Sequence, residues 1–161
     1  MGSRGSVVPF FLKNAFKKNL PITDPKMTRF NILLSDGVNM VLWALHNSIG
    51  GEIFIPKLPS FNIMDLANAI GPTCKKNIIG CRPGEKIHEE MISSADSVTT
   101  FDMKKCFVIL PANWKNIDRL QTYGKRHELV RNNFNYSSDS NKDFLTIDQI
   151  RQLIRENIDS N

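Results

Sequence analysis

Residues 8–33, VPFFLKNAFKKNLPITDPKMTRFNIL, decide the fold class, because a helical pattern is followed at once by extended segments. Leu20–Thr23 is short and extended, and Met27–Leu33 is typical of a strand. Pro21 favours an edge or a loop position for the first of these segments. Apolar residues of the helical part recur with the spacing of one helix face. They are Val8, Phe11, Leu12, Ala15 and Phe16.

The same alternation of helical and extended patterns continues along the chain and predicts a mixed α/β fold. We expect Val38, Val41, Leu42 and Leu45 to point inward from the next helix. The predicted elements after residue 33 are a helix Ser35–Asn47, a strand Glu52–Pro56, a helix capped by Asn62 and ended by Gly71, a strand Asn77–Gly80, a short helix His88–Ile92, a strand Cys106–Leu110 and a last helix opened by the capping box Thr146–Gln149.

Length and composition exclude several classes of protein. With 161 residues and 18.3 kDa, the chain buries about two-thirds of its unfolded surface. Its 41% hydrophobic and 23% charged residues exclude a disordered or fibrous chain. No apolar run is long enough for a membrane span, and Pro9 interrupts the run that could form a signal peptide, so we predict a cytoplasmic location. The net charge of +5 suits an anionic ligand without indicating nucleic acid.

The segment Cys81-Arg82-Pro83-Gly84-Glu85-Lys86 is the sharpest local signal for a binding site. Pro83 fixes φ and Gly84 permits a tight turn, so the turn holds Arg82 and Glu85 rigidly after a strand. An arginine fork matches a diphosphate, and a carboxylate can accept both hydroxyls of a ribose. An Arg82–Glu85 ion pair on the surface explains the same spacing, and both interpretations stay open.

Two further segments are candidates for anion binding. Arg29 lies in an otherwise apolar strand, and an unpaired buried charge is costly, so it needs a partner. A ligand phosphate or a protein carboxylate can serve, and the carboxylate is the commoner partner. Residues 2–9, GSRGSVVP, lead into a helix N-terminus, whose N–H groups attract anions. An ordinary capped helix is the alternative, since the Lys-Ser/Thr ending of a phosphate loop is absent.

Other constellations are weak. The three histidines, His46, His88 and His127, have no supporting nucleophile, so no catalytic residue is predicted. Cys74, Cys81 and His88 match no zinc spacing, so no metal site is predicted and the thiols are expected to be free. A basic cluster with interleaved aromatic residues could contact nucleic acid, although a solvated or subunit-contacting arm explains it better. It contains Trp114, Lys115, Arg119, Tyr123, Lys125, Arg126 and Arg131.

Five stretches together resemble the inverting UDP-N-acetylglucosamine 4,6-dehydratases, which are extended short-chain dehydrogenase/reductases of the polysaccharide biosynthesis protein family. The similarity follows the order of the whole chain and covers roughly the C-terminal half of such an enzyme. The resemblance therefore implies the substrate-binding portion of that α/β fold, without most of the Rossmann core. The stretches are residues 2–11 (GSRGSVVPFF), 22–30 (ITDPKMTRF), 50–57 (GGEIFIPK), 82–89 (RPGEKIHE) and 107–111 (FVILP).

The resemblance implies roles for individual residues. Arg29 and Arg82 grip the UDP diphosphate, and Glu85 binds the uridine ribose. Ser6 and Val7 meet the nucleotide through backbone groups, and Leu20–Thr23 flanks the uracil. Residues 1–112 are then a nucleotide-sugar-binding portion, residues 113–145 an irregular basic arm and residues 146–158 a C-terminal helix.

In the complete enzyme, the resemblance implies oxidation at C4 by bound NADP, loss of water across C5 and C6, and hydride return to C6 with inversion at C5. This chain has no glycine-rich dinucleotide loop, and neither Tyr123 nor Tyr136 has a lysine four positions on. We therefore expect it to bind the UDP-sugar without binding NADP, and to be inactive alone. The partners implied are a separately encoded N-terminal half and other subunits, and nucleic acid is not expected. The alternative function is a non-enzymatic basic module for nucleic acid or a partner protein.

A chain without that half lacks the sheet on which its helices pack. We therefore expect the apolar faces of Val8–Phe16 and Val38–Leu45 to be exposed, which favours aggregation or docking with the other half.

Overall fold

A computed structural model describes residues 6–111 and 117–158, and for residues 117–120 the backbone alone. The helices are α1 (Val7–Ala15), α2 (Leu34–Asn47), α3 (Ile63–Ile70), α4 (Ile117–Gly124) and α5 (Ile147–Asn157). The strands are β1 (Asn19–Ile22), β2 (Thr28–Phe30), β3 (Ile53–Pro56), β4 (Ser60–Asn62), β5 (Lys75–Ile78), β6 (Glu90–Ile92), β7 (Thr100–Asp102), β8 (Cys106–Ile109), β9 (Glu128–Leu129) and β10 (Tyr136–Ser137).

The described residues form two compact units. Residues 6–33, 58–89 and 138–158 belong to the first unit, and residues 34–57, 90–111 and 117–137 belong to the second. The chain therefore passes from one unit to the other several times. This division differs from the predicted portions 1–112, 113–145 and 146–158, which remain a prediction.

The first unit contains two small sheets and three helices. Strands β1 and β5 pair in parallel, and β2 pairs antiparallel with β4, with Arg29 opposite Phe61. Helices α1, α3 and α5 cover an apolar core whose centre is completely buried. Its members with at most 4% exposure are Val8, Phe11, Leu20, Ile22, Met27, Phe61, Ile63, Leu66, Ala67 and Ile150.

Local chemistry sets the ends of two of these helices, as predicted. The Asn62 side chain accepts a hydrogen bond from the Met64 N–H at 2.7 Å and begins α3, and Gly71 follows its last residue. Thr146 and Gln149 form a reciprocal capping box at the start of α5. Such caps stabilise a helix by about 1 kcal/mol because they satisfy N–H groups that lack an intrahelical partner.

The second unit is built on an antiparallel sheet with the strand order β3-β8-β7-β9. Phe101 and Val108 are paired across β7 and β8, and they form an apolar cluster with Leu110 and Tyr123. The Glu52 carboxylate, just before β3, accepts hydrogen bonds from the Ile49 and Gly50 N–H groups and from the Tyr123 hydroxyl. The helix α2 touches β3 through an edge-to-face contact between Trp43 and Phe54.

The apolar face of α2 does not point inward, which corrects the prediction for this helix. No residue of α2 is buried, and large apolar side chains of that face are exposed. Apolar periodicity defines a face, but burial also requires a neighbouring surface. The expected exposure of the apolar face Val38–Leu45 is thus confirmed. The expected exposure of the face Val8–Phe16 of α1 is wrong for Val8 and Phe11, which are buried.

Two other predictions of secondary structure were wrong. The region His88–Ile92 is not a short helix, because Glu90–Ile92 forms β6, which pairs antiparallel with β10. The segment 113–145, predicted to be irregular, contains α4, β9 and β10. The strands β6, β9 and β10 are short, and their pairing partners lie far away in the sequence. Residues 113–116 of the predicted arm lie outside the described residues.

Candidate functional site

The first unit contains a cavity of about 750 Å³. Four segments line it: the start of α1, the region around β1 and β2, the junction of β4 and α3, and the irregular segment after β5. Its volume lies in the usual range for a site that takes a ligand of drug-like size, about 300–1,000 Å³. The structure brings all five predicted site residues to this one cavity. They are Ser6, Val7, Arg29, Arg82 and Glu85.

The start of α1 presents unused hydrogen-bonding groups at the cavity. Ser6 is the N-cap residue, but its side chain makes no capping bond, and its Oγ is buried without a partner in the described part of the chain. The first N–H groups of a helix have no intrahelical acceptor and attract negative charge. Val7 and Val8 line the same cavity. This end of the cavity therefore suits a ligand that carries anionic oxygen atoms.

The turn at residues 82–85 is closed in two ways. The Glu85 N–H donates to the Arg82 carbonyl at 3.0 Å, and the Glu85 carboxylate accepts from the Arg82 N–H at 3.1 Å. Gly84 has φ +80°, which lies in the left-handed region that other residues rarely adopt. The turn is thus a tight one, as the Pro-Gly pair predicts.

The Arg82 side chain decides between the two interpretations of this turn. Ion pairs join Arg29 to Glu89, Lys57 to Asp102 and Arg151 to Asp148. Within residues 6–111 and 117–158, the Arg82 guanidinium has no ion-pair or hydrogen-bond partner. The two side chains therefore form no ion pair, and the interpretation of the turn as a surface ion pair does not hold. An exposed arginine fork beside a carboxylate is left at the rim of the cavity.

Arg29 is fastened mainly to backbone carbonyl groups. Its Nη1 donates to the carbonyl oxygens of Thr28 and Ile87 at 2.7 and 2.8 Å. Its Nη2 donates to the Lys86 carbonyl at 3.0 Å and to the Met27 sulfur at 3.5 Å. A carboxylate is also present, since Nε lies 3.7 Å from Glu89 Oε1. The carboxylate was the commoner partner expected, whereas the carbonyl contacts were not anticipated.

Glu89 is a cavity residue that the pattern of the sequence did not single out by itself. Its Oε2 accepts the Phe30 N–H at 2.9 Å, so the carboxylate is held at the end of β2. The cavity is thus lined by three cations and two carboxylates, and the balance favours an anion. The cations are Lys13, Arg29 and Arg82, and the carboxylates are Glu85 and Glu89. The only signal in the sequence was the position of Glu89 inside the stretch RPGEKIHE.

A network of hydrogen bonds beside the cavity holds Glu89 and the preceding residue, His88. Thr28 Oγ1 lies 2.8 Å from His88 Nδ1 and 2.7 Å from Ser138 Oγ. The Glu89 N–H donates to Ser138 Oγ at 2.9 Å. Thr28 and Ser138 are buried, and buried polar groups with partners rigidify a site. His88 therefore contacts a hydroxyl group that is buried, and a buried hydroxyl cannot reach a substrate as a nucleophile.

Neither tyrosine of this chain is exposed. A reductase tyrosine must reach its substrate, but Tyr123 and Tyr136 are only 6% and 7% exposed. The Tyr123 hydroxyl donates to Glu52, and Tyr136 packs on Phe107. In the part of the chain that is described, no group of His, Cys, Asp and Glu could hold a metal ion. No described helix has the length and apolar character needed to cross a membrane.

The structure weakens the nucleic-acid alternative. Base stacking needs an exposed aromatic face, and Tyr123 is buried against Phe101. Trp114 and Lys115 lie outside the described residues, as does the Arg119 side chain. Of the two aromatic residues of this cluster, the structure therefore describes Tyr123, which has no exposed face for stacking.

Residues 1–111 match the model of a family described as polysaccharide biosynthesis protein. The chain belongs to this family. It is 45% identical to a UDP-N-acetylglucosamine 4,6-dehydratase (inverting) of Campylobacter jejuni serotype O:2, over 96% of the chain and 48% of that protein. It is 33% identical to a UDP-glucose 4-epimerase of Rickettsia canadensis, over 96% of the chain and 46% of that protein.

A solved structure shows the same fold. Pen from Bacillus thuringiensis superposes with a TM-score of 0.79 at 28% identity, over 97% of the chain and 47% of Pen. The chain thus spans about half the length of the relatives it matches. The predicted resemblance and the α/β fold of an extended short-chain dehydrogenase/reductase are both confirmed. Enzymes of this kind generally depend on NAD(P).

Proposed function

We propose that this chain is the C-terminal, UDP-sugar-binding part of a UDP-N-acetylglucosamine 4,6-dehydratase that inverts C5, in nucleotide-sugar and surface-polysaccharide biosynthesis. The observation that carries the proposal is the Arg82 guanidinium, which has no partner among the described residues and lies at the same cavity as Glu85 and Ser6. Relatives that the chain resembles bear the names of enzymes acting on UDP-sugars. The cytoplasmic location stays a prediction.

The cavity offers a complementary group for each part of UDP. The diphosphate lies between the Arg82 fork and the start of α1, where Ser6 and Val7 line the cavity, and Arg29 adds positive charge. Charge-assisted hydrogen bonds of this kind contribute about 1.5–3 kcal/mol each. The Glu85 carboxylate accepts the ribose hydroxyls. Pro21 and Thr23, which also line the cavity, border the uracil.

NADP belongs to another part of the complete enzyme in this proposal. When bound there, it supplies the hydride acceptor for oxidation at C4. This chain holds the substrate by its nucleotide and forms part of the pocket wall. Among its described residues no tyrosine lines the cavity, so we expect no turnover by the chain alone.

The exposed face of α2 is the surface on which we propose that the remaining half of the enzyme docks. The relatives have about as many residues again as the chain matches, and a fold of that kind buries its apolar helix faces. The proposed partner is therefore a polypeptide equivalent to the unmatched half of the relatives. Assembly into oligomers, as in the family, is part of the same proposal. The face comprises Leu34, Val38, Val41, Leu42 and Leu45, with exposures from 49% to 83%.

Titration calorimetry with UDP tests the binding proposal. Arg82→Ala is expected to weaken UDP binding about 10–100-fold, because one or two charge-assisted contacts are lost. Arg151→Ala is the matched control, since Arg151 lies in the same unit but contacts α3 and Asp148 instead of the cavity. Equal affinities of wild type and Arg82→Ala would remove Arg82 from the site, and absence of UDP binding by the wild type would refute the proposal.

A further inference from the structure

The irregular segment between β5 and β6 carries both Arg82 and Glu85, yet little holds it in place. Strand β5 ends at Ile78, and the Ile79 N–H still donates to the Ile22 carbonyl at 2.8 Å. The hydrogen bonds of the turn at 82–85 are internal. Between residues 80 and 86, the one hydrogen bond to another described segment is that of Arg29 Nη2 with the Lys86 carbonyl.

Arg29 also donates a hydrogen bond to Ile87, the residue after Lys86. Its Nη1 donates to the Ile87 carbonyl, which also accepts the Thr28 N–H at 3.2 Å. The side chain of Arg29 is only 20% exposed, so water screens these charge-assisted bonds less than on an open surface. One guanidinium thus joins strand β2 to two consecutive carbonyl groups directly after the turn.

Almost all N–H groups of the Arg29 guanidinium donate hydrogen bonds to other groups of the protein. A guanidinium has five N–H donors in a fixed planar fork. The four on Nη1 and Nη2 point to three carbonyl oxygens and one sulfur atom. The remaining Nε–H faces Glu89 Oε1 at 3.7 Å, which is too long for a hydrogen bond. Arg29 is therefore organised to hold protein backbone, whatever its charge adds to ligand binding.

We infer that Arg29 is a positioning residue that sets the place of the Arg82–Glu85 turn and so couples the ribose contact to the diphosphate contact. The inference rests on the proposed function for its ligand, but its structural part does not need one. Sites must be held within about 0.5 Å of their productive geometry. A turn released from Arg29 misplaces Arg82 and Glu85 together, and affinity for every part of the nucleotide that they touch falls.

Hydrogen exchange of the backbone amides tests the structural part. Arg29→Lys keeps the charge, but a lysine ammonium cannot reproduce the planar fork that spans two carbonyl groups. We expect exchange of the hydrogen-bonded amides of the turn, those of Arg82 and Glu85, to become about tenfold faster or more, with α3 and α5 unchanged. Arg151→Lys is the control, because Arg151 also joins carbonyl groups of the first unit, those of Asn68 and Ala69. It should leave the Arg82 and Glu85 amides unchanged.

Binding of uridine and UDP, followed by calorimetry or by NMR shifts, tests the coupling. Arg82→Ala should weaken UDP and leave uridine, which has no phosphate, unchanged. Arg29→Lys should weaken both about tenfold, because the ribose contact moves with the turn.

Three results would overturn the inference. Unchanged exchange of the Arg82 and Glu85 amides in Arg29→Lys would show that the fork does not hold the turn. Exchange that rises equally in α3 and α5 would assign Arg29 to the stability of the whole unit. Loss of UDP affinity with unchanged uridine affinity would make it a direct diphosphate ligand alone. Absence of any nucleotide binding by the wild type refutes the proposed function, while the exchange result still decides whether Arg29 holds the turn.

Discussion

Helices α1 and α2 carry the same kind of apolar repeat, but only α1 buries it. Val8 and Phe11 of α1 are 3% and 2% exposed, since β1 and α3 lie against this helix. In α2, Leu34 and Leu45 are 83% and 73% exposed, and no residue is buried. The repeat specifies which face can be buried, whereas a neighbouring surface decides whether it is.

The units that contain these helices are held together differently. In the first unit, one apolar cluster joins α1, β1, α3 and α5. In the second unit, the Glu52 carboxylate accepts hydrogen bonds both from the turn after α2 and from the Tyr123 hydroxyl of α4, and so joins these two segments. We therefore expect the first unit to respond most to loss of apolar volume and the second to respond to pH and to added partners.

The largest expected effect comes from truncating the buried face. Phe11→Ala should lower the free energy of unfolding by about 3–5 kcal/mol, because removal of a buried ring leaves a cavity. Leu42→Ala in α2 is the matched control, and its change should stay within about 0.5 kcal/mol, since Leu42 is 60% exposed. Urea unfolding followed by circular dichroism measures both. Similar losses for the two variants would mean that α2 is buried after all.

Without the proposed docking partner, the exposed apolar face of α2 favours self-association of the chain, and a change in this association is the next largest expected effect. Leu42→Lys should weaken association of the chain about tenfold, because a charge enters the apolar face and an apolar contact is lost. Asn39→Lys, at an exposed position beside that face, adds the same charge as a control. Sedimentation velocity over a range of concentrations measures the association. Equal weakening by both variants would assign the effect to net charge.

The second unit should lose stability in acid through Glu52. Burial is the largest influence on the pKa of this carboxyl and raises it, but hydrogen bonds from three backbone N–H groups and from the Tyr123 hydroxyl together lower the pKa below its usual 4.5. A lowered pKa contributes stability above the unfolded value and loses it as the pH falls through the folded value.

Glu52→Gln should therefore flatten the pH dependence of the melting temperature between about pH 5 and pH 3. Tyr123→Phe removes one of the hydrogen bonds and should flatten it less. Thermal unfolding at stepped pH measures both variants. If the melting temperature of Glu52→Gln falls with pH as steeply as that of the wild type, groups other than Glu52 govern the acid response of this unit.

The smallest expected effect is a difference in thiol labelling. Cys81 is exposed, whereas Cys74 of the first unit and Cys106 of the second are buried. Burial raises the pKa of the Cys106 thiol, and although the Lys57 ammonium lowers this pKa, the Asp102 carboxylate raises it again, so the reaction of the thiol is slowed further. In a Cys81→Ser background, labelling with iodoacetamide then reports opening of each unit. We expect Cys106 to become reactive before Cys74 as urea is added, because a large apolar cluster that includes Cys74 holds the first unit together. The reverse order would show that the first unit opens more readily than the second.

Elements defined by neighbouring residues were predictable. The Asn62 cap, the Thr146–Gln149 capping box and the Pro83-Gly84 turn each depend on side chains within four positions of the backbone that they satisfy. By contrast, β6 was mistaken for a helix because its partner β10 lies more than forty residues later. A three-residue strand contains too little periodicity to reveal such a pairing.

The residues of the candidate site were predictable from the sequence, but the hydrogen bonds that hold them were not. Arg82 and Glu85 stand out because of the turn between them, and Arg29 because a charge interrupts an apolar strand. The hydrogen bonds from Arg29 to carbonyl groups 57 and 58 residues away depend on the path of the backbone, which no local pattern encodes. Glu89 was missed as a cavity residue for the same reason.

The amino-acid sequence by itself determined the α/β class, the ends of α3 and α5 and the identity of the charged groups, because these depend on periodicity and on contacts within a few residues. Only the tertiary structure decided that Arg29 holds backbone, that Arg82 has no partner among the described residues and that α2 leaves its apolar face exposed. Each of these depends on which distant surfaces meet, and that is a property of the folded chain.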